Sequence, residues 1–451
     1  MTNLGARVVI AGTHSGVGKT TVATGLMAAW RRRGMRVRAA KVGPDFIDPG
    51  YHALATGRPG RNLDAWLCGL AAIGPLAGRA ATGGDVLVVE GVMGLFDGAA
   101  DGTPSSTAAI AARLEAPVVL VVDAAALSQS VAALVHGYAS VDAGAGGVAG
   151  VILNRVASDG HEALLRDALA PLRLPALGVL RRDEAFTWRD RHLGLVPVAE
   201  HAGAVQAALD RLAGAIEHGC DLDALAAVAR RAPARTEAAP VEARPAGRAR
   251  VAVAGGPAFT FTYRDNIEAL QQAGAEIVPF DPVHDVRLPA GVDGLVVGGG
   301  FPEVYGEALA ANTPLLRDVH DRVTAGLTTW AECGGLLWLA RTLDGRPMAG
   351  VVAADAAMTP RLTLGYRTGV VRRDTPIAPA GTELRGHEFH YSRLDPPGEA
   401  IHLTSRFAAG LDGHATPTLL ATYLHLHLGA DPTPAERFVA AAHSRSLSPP
   451  T

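Results

Sequence analysis

Two stretches of this 451-residue chain carry residue types that can do chemistry, and they lie far apart. The first, residues 12–21, reads GTHSGVGKTT. Gly18, Lys19 and Thr20 meet the P-loop pattern G-x-x-x-x-G-K-[ST], with Thr13 at its first position and Gly12 one place early. Gly16 and Gly18 let backbone N–H groups on either side of Val17 turn toward phosphate oxygens, and a helix starting there adds its positive end. Lys19 is placed to neutralise the β- and γ-phosphates, and the Thr20 hydroxyl to ligate Mg2+. Thr13, Gly16, Val17, Gly18, Lys19, Thr20 and Thr21 are therefore the expected ATP contacts. Asn154, at the end of the run VILN, is expected near the nucleotide base.

The second stretch, residues 326–339, reads GLTTWAECGGLLWL. A strand-like entry, Cys333, two glycines and an apolar helix start form a nucleophile elbow with Cys in place of Ser. The helix N-terminus is expected to lower the thiol pKa. The Gly334 N–H is one expected oxyanion donor, and Gly300, in GGGFPEVY at residues 298–305, is the other. Residues 419–428, LLATYLHLHL, read as one apolar strand carrying His425 and His427. A base reaches the sulfur through space, so the distance along the chain is no obstacle. The plainer alternatives are a cysteine that is only a small buried hydrophobe and histidines exposed on one strand face.

Two acidic segments surround the first site in sequence. KVGPDFIDPG, residues 41–50, puts Asp45 and Asp48 on a proline-bounded loop after a strand. EGVMGLFDG, residues 90–98, puts Glu90 at a strand end with Asp97 just beyond. Carboxylates at strand ends beside a P-loop suit metal binding or orientation of a nucleophile. Each is also a common turn former, Asp48 before Pro49 above all.

The elements that must position these residues alternate. Nearly continuous apolar runs at residues 7–11, 85–90, 118–123 and 148–154 read as strands covered on both faces, with crossover helices at 20–33 and 128–140. Parallel strands with right-handed crossovers follow. Residues 230–250, with prolines, charges and no apolar period, have a linker composition. A second alternation then begins, with strands at 251–254, 276–280 and 294–297. The expected division is residues 1–232, a linker at 233–249, and 250–445; the tail SLSPPT is expected to fray. Both parts are α/β.

Composition excludes several classes. Lys plus Arg total 41 and Asp plus Glu 44, a net charge of −3, which gives no general reason to expect nucleic acid or an anionic membrane. The 3 cysteines, Cys68, Cys220 and Cys333, form no disulfide framework or CxxC pattern. No run of about 18 apolar residues occurs, so no membrane partner is expected and a cytoplasmic location is.

GTHSGVGKTT, KVGPDFIDPGYH, EGVMGLFDG, GGGFPE, AECGGL and YLHLH, in this order, resemble the cobyrinic acid a,c-diamide synthases, including those acting on hydrogenobyrinic acid. The resemblance covers nearly the whole chain except the linker and tail. It implies an N-terminal P-loop parallel-sheet domain similar to dethiobiotin synthetase, binding ATP and a corrinoid. It also implies a C-terminal class I glutamine amidotransferase α/β domain that supplies ammonia. In this family Lys19 and Thr20 sit on phosphates and Mg2+, Glu90 and Asp45 join the metal, and Asp45, Asp48 and Asp97 line the place where ATP meets the substrate carboxylate. Cys333 is the glutaminase nucleophile and His425 its base. The implied reaction is ATP-dependent, glutamine-hydrolysing amidation of the a and c carboxylates through acyl phosphates. Ammonia must arrive unprotonated, so a sheltered passage between the domains is expected.

The chain departs from the class I pattern at one point. The Glu usual two positions after the histidine is His427 here, which leaves the choice of base and the third member of the triad open. The segments LTLGYR and GHEFHY also fit the family, without assignable roles. A homodimer is a further open expectation. Cobyric acid synthase and nickel-sirohydrochlorin a,c-diamide synthase are the nearest alternatives, the former disfavoured by KVGPDFIDPGYH. A partitioning-type P-loop switch ATPase accounts for GVGKTT and leaves the Cys333 elbow unexplained.

Overall fold

The computed structural model describes residues 1–141, 147–182, 190–191, 194–195 and 202–446, and the chain forms two compact units, Met1–Pro240 and Val241–Thr451. The tail expected to fray falls, apart from Ser446, outside the described residues. Among the described residues no helix is long and apolar enough to cross a membrane.

The first unit is built on a 7-stranded sheet, in the order Arg61–Leu63, Val37–Val42, Val86–Glu90, Arg7–Gly12, Val118–Asp123, Val148–Val156, Ala176–Arg181. Every pairing in it is parallel. The apolar runs predict this arrangement, because strands covered on both faces have no polar face to keep. Val9 and Ala11 enter one hydrophobic cluster and Val8 and Ile10 the other, the alternation a pleated strand imposes. The helix Lys19–Arg32 lays Val22, Leu26, Met27 and Trp30 into the second cluster, where a methyl added at Gly25 would lie 2.7 Å from Ile216.

Residues 235–237, inside the stretch of linker composition, form a strand antiparallel to Thr2–Leu4. Its charges are paired: Glu237 lies 3.0 Å from Arg113 and 2.8 Å from Arg235. The Arg113 hydrogen bond holds that carboxyl below its usual range.

Among its described residues the second unit has two sheets. A 6-stranded sheet runs Ala275–Phe280, Ala249–Ala254, Gly294–Val297, Thr328–Glu332, Leu419–Thr422, His414–Thr416, parallel except for the last pairing. The other sheet is organised on a long antiparallel pair, Val352–Val371 with Glu383–Asp395, which contains the LTLGYR and GHEFHY segments. The apolar stretch 419–428 is not one strand. Leu419–Thr422 ends in the first sheet, and His425–Leu426 pairs with Gly386 and His387 in the second. The break sits at Tyr423 and Leu424, where Asp412 accepts the Tyr423 N–H at 3.1 Å. Both histidines are buried there, which corrects the alternative of an exposed strand face.

The parallel core predicts one stability effect. Leu26 is fully buried between helix and sheet. Leu26→Ala is expected to cost about 2–5 kcal/mol, read as a lower urea midpoint for the first unit; an unchanged midpoint contradicts the packing described.

Candidate active sites

In the first unit the phosphate loop closes the Arg7–Gly12 strand. Gly16 (φ 81°) and Gly18 (φ 96°) occupy left-handed backbone, which explains the glycines at these positions. A methyl at Gly18 would lie 2.3 Å from Asn154 Nδ2, and Asn154 donates to Val17 O at 2.8 Å, so Asn154 braces the loop from below. Tyr138 donates its hydroxyl to Thr13 O. Thr21 follows Thr20 in the first helical turn, half-buried. Lys19 folds back onto His14 O at 3.0 Å. Burial and the neighbouring Lys41 push its ammonium down to about 8, so an anion at this place restores a charge the site disfavours.

Behind the loop lies a buried polar cluster. Glu90, at the end of its strand and without solvent exposure, lies 2.6 Å from the Thr20 hydroxyl, 2.9 Å from Lys41 Nζ and 2.6 Å from His52 Nε2. Asp48 lies 2.7 Å from Lys41 and 3.4 Å from Thr20. Burial alone raises a carboxyl, but the Lys41 charge and the His52 hydrogen bond overcome it and hold Glu90 low. Asp48 goes the other way: burial and the negative neighbours Asp45 and Glu90 raise it well above its usual range. Lys41, although buried, is raised by Asp48 and Glu90.

The acids of the sequence motif thus separate. Asp48 begins the helix Asp48–Thr56 and faces the cluster. Asp45 caps the turn before it, accepting the Ile47 and Asp48 N–H groups at 2.6 and 3.0 Å. Asp97 accepts the Gly94 N–H at 2.8 Å and lies close enough to act on the Lys19 charge. Sequence reasoning missed Lys41 and His52. His52 lies four residues after Asp48 on the same helix, the spacing that puts both on one face.

In the second unit Cys333 follows the Thr328–Glu332 strand at φ 47° and starts the helix Gly334–Leu339. This non-glycine residue in left-handed backbone is the strained turn of an elbow. The turn packs without room to spare: a methyl at Gly335 would lie 2.3 Å from Val297 O, and one at Gly334 3.0 Å from Gly300 N. The Gly334 N–H approaches the thiol itself, and the Gly300 N–H donates to no backbone carbonyl among the described residues. His425 reaches the same place. A methyl at Gly299 would lie 2.6 Å from its Cε1 and 3.3 Å from its Nε2. Its Nδ1 points the other way, 3.5 Å from Glu332 Oε2. His427 Nε2 is directed to Asp265, 3.9 Å away.

The expected depression of the thiol pKa is not found. Burial first, then Glu303, pushes Cys333 up, and the Gly334 N–H only partly opposes this. A short helix supplies too little positive potential against full desolvation. Burial likewise pushes His425 down to about 3 and Glu332 up to about 8. Burial thus favours the uncharged forms of Cys333, His425 and Glu332 alike.

Residues 8–196 match the CobQ/CobB/MinD/ParA nucleotide binding domain family, and residues 250–433 the CobB/CobQ-like glutamine amidotransferase domain family. Over 96% of its length the chain is 50% identical to hydrogenobyrinate a,c-diamide synthase of Streptomyces coelicolor, 96% of which is covered. The chain belongs to the cobyrinate/hydrogenobyrinate a,c-diamide synthase family. A second member, the hydrogenobyrinate a,c-diamide synthase of Thermobifida fusca, is 46% identical over 97% of each chain. The cobyrinate a,c-diamide synthase of a Synechococcus strain is 40% identical over 96% of this chain and 98% of its own. Family membership accounts for both halves at once, where a partitioning-type ATPase accounts for one.

The neutral, buried thiol predicts slow alkylation. At pH 7, without ligands, iodoacetamide is expected to label Cys333 at least about tenfold more slowly than free cysteine, followed by peptide mass spectrometry. Labelling at the free-cysteine rate contradicts the electrostatics described.

Proposed function

We propose that the chain uses ATP and glutamine to convert the a and c carboxylates of hydrogenobyrinic acid, or of its cobalt counterpart cobyrinic acid, into amides. The observation that carries this reading is the presence in one polypeptide of a cysteine elbow beside a buried histidine and a P-loop backed by buried carboxylates. The two relatives named for hydrogenobyrinate are 50% and 46% identical, the one named for cobyrinate 40%, which favours the metal-free corrin.

In the glutaminase half, Cys333 gives its proton to His425 Nε2 and attacks the side-chain amide carbon of glutamine. The N–H groups of Gly300 and Gly334 hold the developing oxyanion. His425 returns the proton to the departing nitrogen, the C–N bond breaks, and ammonia leaves a glutamyl thioester. Water attacks this thioester, releasing glutamate and the thiol. Of the two histidines His425 is the base, because its ring lies against Gly299 at the elbow while His427 is directed to Asp265.

In the ATP half, an oxygen of a corrin carboxylate attacks the γ-phosphorus, ADP leaves, and an acyl phosphate forms. Ammonia then attacks the acyl carbon and expels phosphate. A carboxylate resists ammonia because it is anionic and resonance-stabilised; the acyl phosphate removes both obstacles. Lys19 and the loop N–H groups hold the β- and γ-phosphates, with Asn154 bracing the loop at the nucleotide.

Mg2+ fits the donor set. Thr20, Glu90 and Asp48 bring oxygens together, and burial with the negative charges of Asp45 and Glu90 raises Asp48, an excess of negative charge that a cation would relieve. A divalent cation there supplies charge neutralisation to the phosphates. Asp48 is better directed to it than Asp45, whose Oδ1 caps the Asp48–Thr56 helix. Asp45 and Asp97 remain at the edge, toward the substrate carboxylate.

Cys333→Ala is expected to abolish glutamine-dependent product while leaving amidation from high ammonium intact; loss of both contradicts the division of labour. Lys19→Ala is expected to stop amidation with either nitrogen source, and unchanged ATP consumption in that variant removes the phosphate-site assignment. Mass spectrometry of products from hydrogenobyrinic and cobyrinic acids then decides the substrate: two amide conversions on the metal-free corrin are expected, and conversion of the cobalt form alone contradicts the preference.

A further inference from the structure

Class I glutaminases place a glutamate two residues after the catalytic histidine, and here that residue is His427. The structure directs His427 away, with its ring centroid 4.6 Å from that of Tyr263 and Nε2 3.9 Å from Asp265. Glu388, on the strand that pairs with His425–Leu426, is engaged as well. Its Oε2 lies 2.6 Å from Arg367 Nε and its Oε1 3.6 Å from His390 Nε2. One buried acid is placed differently. Glu332, the residue immediately before the nucleophile, has Oε2 3.5 Å from His425 Nδ1. Its other oxygen accepts the Leu426 N–H at 3.1 Å.

We propose that Glu332 is the positioning residue for His425, taking the part of the glutamate that the chain lacks at position 427. The inference rests on the assignment of Cys333 and His425 as nucleophile and base.

The fold explains how adjacent residues can serve one ring from two directions. Successive strand residues point to opposite sides, so Glu332 leaves the strand end on the side opposite to the one Cys333 would take. The positive-φ turn at Cys333 then sets Gly334 and Gly335 beside the Gly298–Gly300 backbone, the Gly335 N–H donating to Gly298 O at 3.0 Å. The neighbouring run leaves the same sheet after Thr422 and carries His425 across the strand end, with the Cys333 N–H bound to Thr422 O at 2.8 Å. The Leu426 contact ties the carboxyl to the backbone next to the base, fixing where it points.

The consequence is tautomeric. In its ionised form Glu332 keeps the proton on Nδ1 and leaves the Nε2 lone pair on the Gly299 side, toward the elbow. When the thiol proton moves to Nε2, the imidazolium that forms has its other nitrogen 3.5 Å from Glu332 Oε2. Only the ionised acid supports the imidazolium; burial, which pushes Glu332 to about 8 and His425 to about 3, penalises either charge alone and is opposed once the two charges stand side by side.

The test compares Glu332→Gln and Glu332→Asp in the full chain, with glutamine and with ammonium chloride as nitrogen source. Glu332→Gln is expected to lower the glutamine-dependent kcat about 100-fold, with KM for glutamine changed less than about threefold and ammonium-dependent amidation unchanged. Glu332→Asp, which keeps the charge on a shorter stem, is expected to recover part of that kcat. A glutamine-dependent kcat within about threefold of the parent overturns the proposal, as does a change confined to KM or a parallel loss with ammonium. These results leave the glutaminase reading standing; retention of glutamine use by Cys333→Ala would instead remove that reading itself.

Discussion

A carboxyl group sealed inside a protein must find a cation, accept hydrogen bonds or hold its proton. That constraint shapes both sites of this chain. Glu90 and Glu332 occupy equivalent places, each the last residue of a buried parallel strand and each next to the loop that does the chemistry. Their surroundings divide them. Lys41, His52 and Thr20 surround Glu90 and keep it ionised. Glu332 has an imidazole and a backbone N–H, and burial holds it near 8. One site therefore rests charged, ready for phosphate and a divalent cation. The other rests neutral and becomes charged only when a proton moves.

Resting neutrality has a chemical use in a glutaminase. A thiolate held permanently in an accessible pocket reacts with oxidants and with any passing electrophile. Burial keeps Cys333 protonated, and the energy needed to charge it is returned only when a proton acceptor and an oxyanion cradle are engaged together. In the ATP half the reverse holds. Lys19 is pushed down to about 8 by burial and by Lys41 against the opposing pull of Glu90, Asp48 and Asp97, and triphosphate would add the further negative charge that favours its ammonium. Each site is thus incomplete in a way its proposed ligand completes.

Much of this was legible in the residues. Glycines at 16 and 18 mark positive-φ backbone, and strand, loop and G-K-T-T in sequence leave little room for anything but a phosphate cradle. Apolar runs without alternation predict a parallel sheet, and Cys333 followed by two glycines predicts an elbow. What was not legible depends on long-range contacts. Leu419–Leu428 is apolar throughout, so nothing in its pattern shows that it changes sheets at Tyr423. The long pair Val352–Val371 and Glu383–Asp395 is half-exposed and irregular in hydropathy, which hid a whole sheet. The thiol pKa was misjudged because spacing reveals a helix start but not burial. Glu332 stood in plain view within AECGG, yet its partner lies 93 residues away on a strand of another sheet.

The central claim is that one half of the chain frees ammonia from glutamine while the other activates a corrin carboxylate with the γ-phosphate of ATP. It is tested most directly by double isotope labelling in a single turnover mixture. Hydrogenobyrinic acid with oxygen-labelled carboxylates is incubated with ATP and with glutamine labelled at the amide nitrogen. The account predicts labelled nitrogen in both product amides and one labelled oxygen carried into inorganic phosphate for each amide formed. Label absent from the phosphate, or product amides without the glutamine nitrogen, would contradict it.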